Sequence, residues 1–395
     1  MRRAAAIAGI GQTAFSKAAP GSAWELALEA VLGALDDAGI EAVEVDGICR
    51  FAAPFEPVSV PMMVRGLGVR ELSFFSEAPL GGEALGAVVA HAAAAIATGQ
   101  ARVVVVYRAL KQSAGARFGR ADQGPGGAAP ADGDVYVTEE ENRSLAWPYG
   151  LMSPGQHFAL WATRYMHAYG LDAADLTRAL GAVAVQQRRY ANGNPAALMR
   201  DRMLDFATYA AARMISWPLR LFDLCLENDG ACALVLTSAE AARGLRDDPV
   251  DVLAATQTLT PYREPMGLYA DDPLTPFPRA AADRLYRNAG VTPADVSVAQ
   301  LYDATSYMTM KGLESYLFVP EGTGWKHVTD AGIGPDAPLP VNTHGGHLSE
   351  GYLHGMNGVT EAVRQLRGTA ANQVPGAEIA LVGAPSGSAM ILGRR

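Results

Sequence analysis

Along the chain, short runs of apolar residues alternate with longer stretches in which apolar residues return every three or four positions, the signature of strands interleaved with helices. Residues 4–8 read as a first strand. Ser22 and Glu25 then form a capping box ahead of a helix whose Leu28, Val31, Leu32 and Leu35 share one face, and Gly39 ends it. A second strand is expected over 43–51, a helix over about 82–98, and a strand over 102–107. The last of these contains the unbroken run Val103 to Val106, which predicts a strand covered on both faces, as in a buried parallel sheet. This order is that of an α/β protein.

From 113 to 133, Gly, Ala and Pro dominate and no period survives, which marks a long excursion placed near 109–150. Helices are expected over 157–169 and 173–191, and Glu227-Asn228-Asp229-Gly230 predicts a turn into a strand over 231–236. Residues 243–250 read as a linker. After it the rhythm repeats: a strand near Val252, a helix near 279–290, a strand near 296–302, a helix with Val359, Ala362, Val363 and Leu366 on one face, and a strand over 379–382. At 395 residues the chain exceeds a single ordinary core, so two similar α/β halves, 1–245 and 246–395, are expected, repeated in element order and not in sequence.

Composition narrows the function classes. Hydrophobic residues make up 49% and charged ones 18%, a balance that buries a large core. The net charge of -9 argues against general nucleic-acid binding, which needs a clustered basic surface. The Ala-rich stretch 84–97 is shorter than a bilayer requires and reads as a buried helix, so no membrane span is expected. Arg2 and Arg3 with the apolar residues behind them imitate a leader, but Gly11-Gln12-Thr13 interrupts the run, and a first strand is the expectation. Cys49, Cys225 and Cys232 cannot all pair and match no zinc spacing, which predicts a reducing, cytoplasmic setting.

Candidate chemistry concentrates in 342–358, where five glycines let the backbone approach a ligand just before a helix, expected to begin after Gly358. His344, His347 and His354 lie in this loop with His327 nearby, which raises a metal site as one reading. Their spacing matches no ligand pattern, and Gly-rich backbone holds ligands poorly, so no metal is expected. Taken singly, each histidine reads as a structural or solvated polar group before a functional one. Arg108, Lys111, Arg117 and Arg120 bunch where the long excursion begins and are candidates for an anionic ligand, with a solvated charged face as the alternative.

The loop Gly345-Gly346-His347-Leu348-Ser349-Glu350-Gly351-Tyr352 resembles the C-terminal active-site loop of sterol-carrier-type thiolases, with Tyr352 where that family places its catalytic histidine. Ile7-Ala8-Gly9-Ile10-Gly11-Gln12-Thr13 is similar to the family's opening strand and turn, and Asn228-Asp229-Gly230-Ala231-Cys232-Ala233 to its Asp-Gly-Ala segment. Leu301-Tyr302-Asp303-Ala304-Thr305-Ser306 looks like the motif that carries Asn or His in thiolases, and here Tyr302 takes that place. Thiolases hold a nucleophilic cysteine at a helix N-terminus, where the dipole favours the thiolate. The stretch 76–82 contains none, with Ala78 at about the matching position, and 381–387 lacks the second thiolase cysteine.

These departures resemble the lipid-transfer-protein-like aldolases of bacterial steroid side-chain degradation. The resemblance implies a thiolase fold of two α/β halves in a five-layered αβαβα arrangement. It also implies a lyase that cleaves a β-hydroxyacyl-CoA steroid by retro-aldol reaction, giving a 17-ketosteroid and propionyl-CoA. Tyr352 is the expected base and Tyr302 the expected proton donor, with Asp303, His344, His347 and His354 in supporting places. A helix N-terminus beside Tyr352 is expected to favour its phenolate. No cofactor is expected beyond the CoA of the substrate, whose phosphates the basic cluster would meet. A homodimer, joined by a separate OB-fold and zinc-ribbon protein into a heterotetramer, is the implied assembly. The alternatives are a thiolase-type acyltransferase and a non-catalytic lipid carrier or partner-supporting protein.

Overall fold

The computed structural model describes residues 4–52, 58–79, 81–114, 147–245, 248–258, 279–384 and 387–394. In chain order the strands are β1 (Ala5–Gln12), β2 (Gly47–Ala52), β3 (Phe74–Pro79), β4 (Val104–Lys111), β5 (Met214–Ser216), β6 (Leu219–Arg220), β7 (Asp229–Ser238), β8 (Val250–Thr256), β9 (Val298–Leu301), β10 (Ile379–Gly383) and β11 (Ala389–Gly393). The helices of the first half are α1 (Ala23–Ala38), α2 (Val60–Leu67), α3 (Leu85–Ala97), α4 (Pro154–Ala168), α5 (Ala173–Gly193), α6 (Phe206–Ala210) and α7 (Ala239–Leu245). Those of the second are α8 (Arg279–Ala289), α9 (Ser306–Ser315), α10 (Gly324–Asp330), α11 (Gly346–Ser349) and α12 (Met356–Arg367).

Local chemistry sets the element ends. The Ser22 side chain accepts from the Glu25 N–H while the Glu25 carboxylate accepts from the Ser22 N–H at 2.6 Å, closing the capping box on α1. Gly39 ends the helix at φ 67°, a left-handed conformation that suits a residue without Cβ. The helix expected over 82–98 begins with a tight turn, Gly81–Ala84, and becomes α-helical at Leu85. Most of the expected excursion near 109–150 lies outside the described residues; β4 itself runs on to Lys111 and is buried from Val104 to Leu110.

Nine strands form one sheet in the order β3-β2-β4-β7-β1-β8-β11-β10-β9. Among the described residues the parallel pairs of strands are β2–β3, β2–β4 and β9–β10, so the expectation of parallel strands is corrected to a mixed sheet. The Val103 to Val106 run reflects burial on both faces, which a covered antiparallel neighbour satisfies as well as a parallel one. Outward from the seam, β1-β7-β4-β2 in the first half is mirrored by β8-β11-β10-β9 in the second. β1 and β8 meet there antiparallel, through Ala6–Asp251 and Ile7–Val250. We take the halves to divide at 245/246, between α7 and β8.

The layers follow from side-chain alternation. On β1, Ala6 and Ala8 face one core with α1, while Ala5 and Ile7 face the other. α1 packs on β1, β4 and β7, and α8 packs on β8 and β11. α3 and α12 lie between the halves, each touching strands of both. α12 buries most of its length, including Asn357, Thr360 and Glu361, which explains why the sequence around it carries polar residues on a covered surface. The functional loop enters this central layer.

Candidate active site

Tyr302 follows β9 directly, and its N–H continues the sheet by donating to the Gly383 carbonyl at 2.9 Å. The loop behind it is pinned by Asn342, whose side chain accepts from the Leu301 N–H at 2.8 Å and donates to the Leu301 carbonyl at 2.9 Å. Two glycines follow at positive φ, Gly345 and Gly346. A Cβ on Gly346 would fall 2.2 Å from Asp303 Oδ2, so glycine is needed for space as well as conformation. Asp303 takes the first amides of α11, accepting from His347 N–H at 3.0 Å and Leu348 N–H at 3.3 Å.

Tyr352 is held by a two-point clamp. Its N–H donates to Asn228 Oδ1 at 2.6 Å and its carbonyl accepts from Asn228 Nδ2 at 3.3 Å. The two phenols meet, with Oη to Oη 2.7 Å. His347 lies edge-on to both rings, centroids 4.9 Å from Tyr302 and 5.0 Å from Tyr352, and His354 stands 4.9 Å from Tyr352 on another side. Against Tyr302 the backbone of Gly82 closes in: a Cβ there would lie 2.4 Å from the ring.

Burial makes this cluster uncharged in its histidines and phenol. It pushes Asp303 well above the usual carboxylate range, and it lowers His347 to about 3 and His354 and His344 well below the imidazole range. Tyr352 is raised well above 10 by burial and by its neighbour Tyr302, against which Arg108 acts in the lowering direction. The expected phenolate is therefore corrected: Tyr352 rests as a neutral phenol, because desolvation outweighs the nearby positive charge. α12 also starts at Met356, capped by Gly355, and not after Gly358. His347 Nε2 accepts from the Gly355 N–H at 3.1 Å, which assigns its proton to Nδ1. That nitrogen lies 3.1 Å from Asp303 Oδ1 but makes no hydrogen bond to it.

His344 sits one residue layer further back, its Nε2 3.7 Å from Glu350 Oε2, and touches neither phenol by ring contact. Arg108 does not face a solvent-borne ligand. It is fully buried, donates to His354 Nδ1 from Nε at 3.0 Å and Nη2 at 2.7 Å, and lies over the Phe51 ring. Lys111 is likewise occupied, 2.9 Å from Asp229 Oδ2. Both are thus removed from the expected phosphate-contacting cluster, since their strand is covered on both faces. Arg117 and Arg120 lie outside the described residues. Ala78 lies within β3, so the position that meets Tyr302 at the start of the α3 turn is Gly82, and no sulfur enters by either assignment. The three cysteines are free and burial holds them as thiols, Cys49 pushed up to about 12 and the other two further.

Comparison with known proteins places the chain in a family. Residues 268–392 match the thiolase C-terminal domain-like family. The chain is 41% identical to a 17-hydroxy-3-oxo-4-pregnene-20-carboxyl-CoA lyase of Mycobacterium tuberculosis, over 98% of this chain and 99% of that one. It is 40% identical to a steroid side-chain-cleaving aldolase of Thermomonospora curvata, over 99% and 98%. The chain belongs to the thiolase superfamily, in the branch of these two lyases. A solved structure described as the Ltp2-ChsH2(DUF35) aldolase superposes with a TM-score of 0.89 at 37% identity, covering 99% of this chain and 98% of that one.

Asn228 and Gly82 touch the tyrosine pair and were not singled out by sequence reasoning. Asn228 reads as part of a turn, and only the 124-residue separation from Tyr352 closed by folding gives it its clamp.

Proposed function

We propose that the protein is a carbon-carbon lyase that cleaves a steroid carrying a β-hydroxyacyl-CoA side chain by retro-aldol reaction, releasing a 17-ketosteroid and propionyl-CoA. The observation that carries the mechanism is the 2.7 Å bond between Tyr302 and Tyr352 Oη in a pocket with no thiolate. Neutral phenols joined this way act as a relay. The substrate hydroxyl gives its proton to Tyr352 as Tyr352 passes its own to Tyr302, and Tyr302 protonates the α-carbon as the C–C bonding pair arrives there from the breaking bond. The carbinol carbon becomes the ketone, one proton enters and one leaves the pair, and no free phenolate is needed. His347 and His354 hold the rings in place, Asp303 anchors α11 beneath them, and neither a metal nor a cofactor is called on.

The assembly we propose is a homodimer working with a separate OB-fold and zinc-ribbon chain as a heterotetramer. β3 supports the first contact, since it forms one edge of the sheet and leaves Phe75 67% exposed. Among the described residues no helix is long and apolar enough to cross a membrane. The free cysteines fit a reducing, cytoplasmic setting.

The test is turnover of the hydroxyacyl-CoA steroid by Tyr302→Phe, Tyr352→Phe and the double variant, assayed with the partner chain. Each single change is expected to lower kcat about 10²–10⁴-fold, and the double variant no further than the worse single one, because the two act as a unit. Retained turnover in both single variants refutes the relay.

A further inference from the structure

Two cavities of about 10 Å³ each flank Tyr302, and their walls differ in kind. One is bounded by Met308, Gly312, Tyr316 and neighbouring backbone, and its polar groups are satisfied: Tyr316 Oη donates to the Ala384 carbonyl and Ser315 Oγ to the Lys311 carbonyl. The other is bounded by Gln300, Tyr302, Asp303, Asn342, His344 and His347. Four buried polar atoms on these residues have no hydrogen-bond partner: Nδ1 and Nε2 of His344, Nδ1 of His347 and Oε1 of Gln300. The three side chains are at most 3% exposed. Leaving such atoms unsatisfied costs about 1–3 kcal/mol each, and a volume of about one water-sized sphere with three or so polar partners is what an internal water requires.

We infer that the cavity lined by Gln300, His344 and His347 is a binding site for a single structural water, and that this water is a positioning element for the tyrosine pair. The inference rests on the relay proposed above for its functional part and on geometry alone for the water itself. His347 carries its proton on Nδ1, because Nε2 already accepts from Gly355 N–H. The water accepts from that Nδ1–H and donates to Gln300 Oε1 and to the unprotonated nitrogen of His344. With both ring nitrogens bonded, His347 is fixed at both ends, and the two phenol rings that lie edge-on against it are fixed in turn. Gln300 itself is anchored through Nε2 to Thr343 Oγ1 at 3.2 Å, so its acceptor is aimed and not free to swing. The second cavity is expected to stay dry, since the Tyr316 and Ser315 hydroxyls on its wall already have partners.

A crystal structure of the full chain tests the site: one well-ordered water is expected in the His344 cavity and none in the Met308 cavity. Empty density in the first, or His344 and Gln300 bonded directly to each other, overturns the inference. Gln300→Leu, which removes the acceptor and fills the space, is expected to lower kcat about tenfold with KM within about threefold. Gln300→Glu keeps an acceptor oxygen and is expected to restore kcat to within about threefold of the parent. Wild-type kcat in Gln300→Leu refutes the positioning role while leaving the tyrosine reading intact, whereas Tyr352→Phe at full activity refutes the relay and the positioning role together and leaves only the water site standing.

Discussion

Glu350 offers a quantitative check on the electrostatics of the loop that carries Tyr352. Its carboxyl is fully buried, accepts from Asn194 Nδ2 at 3.1 Å and Asn357 Nδ2 at 2.8 Å, and is pushed from 4.5 up to about 7, chiefly by loss of water. Each decade between folded and unfolded values is worth about 1.4 kcal/mol, so the displacement corresponds to about 3 kcal/mol. The direction follows from proton counting. Below pH 4.5 both states are protonated and the group is silent; between 4.5 and 7 the unfolded chain releases the proton that the folded chain keeps, so stability falls as pH rises. Above pH 7 the full penalty is present. Glu350→Gln cannot ionise, so relative to the parent it should gain about 3 kcal/mol between pH 4.5 and 8. Its altered bonds to Asn194 and Asn357 add a pH-independent offset that does not enter the slope. Urea unfolding of both proteins at matched concentration across this range measures the difference. A difference constant to within about 0.5 kcal/mol would refute the assignment of a buried, proton-holding Glu350.

Two further outcomes follow from the contacts around the phenols. Asn228→Ala removes both ends of the clamp on the Tyr352 backbone and leaves a buried N–H unpaired, so unfolding free energy should drop by about 2–3 kcal/mol, read by denaturant titration. Gly82→Ala drives a methyl into the Tyr302 ring and should lower kcat about 10²-fold while leaving the midpoint of unfolding within a few degrees, measured by steady-state turnover and thermal scanning.

What could be read from the sequence was what is encoded locally or in a motif. The capping box of α1 and its Gly39 stop are contained within a few residues, and both formed as written. The tyrosine pair was visible because each ring sits in a motif whose family places catalytic groups there, and folding brings the two hydroxyls together. The mixed sheet was hidden, because a buried strand is apolar whichever way its neighbour runs. The basic cluster misled for a similar reason. Arg108 and His354 are 246 positions apart, and nothing near Arg108 in the chain signals that its guanidinium turns inward to that ring. The resting state of Tyr352 was also out of reach, since burial sets it and burial is a property of the assembled loop.

The absence of a side chain at Gly82 has a consequence for what can stand beside Tyr302. The first atom of any side chain at that point would collide with the Tyr302 ring, so a thiol cannot be introduced there while the phenol stays. A side chain at position 82 therefore requires a smaller residue at position 302, and the two positions can change only together.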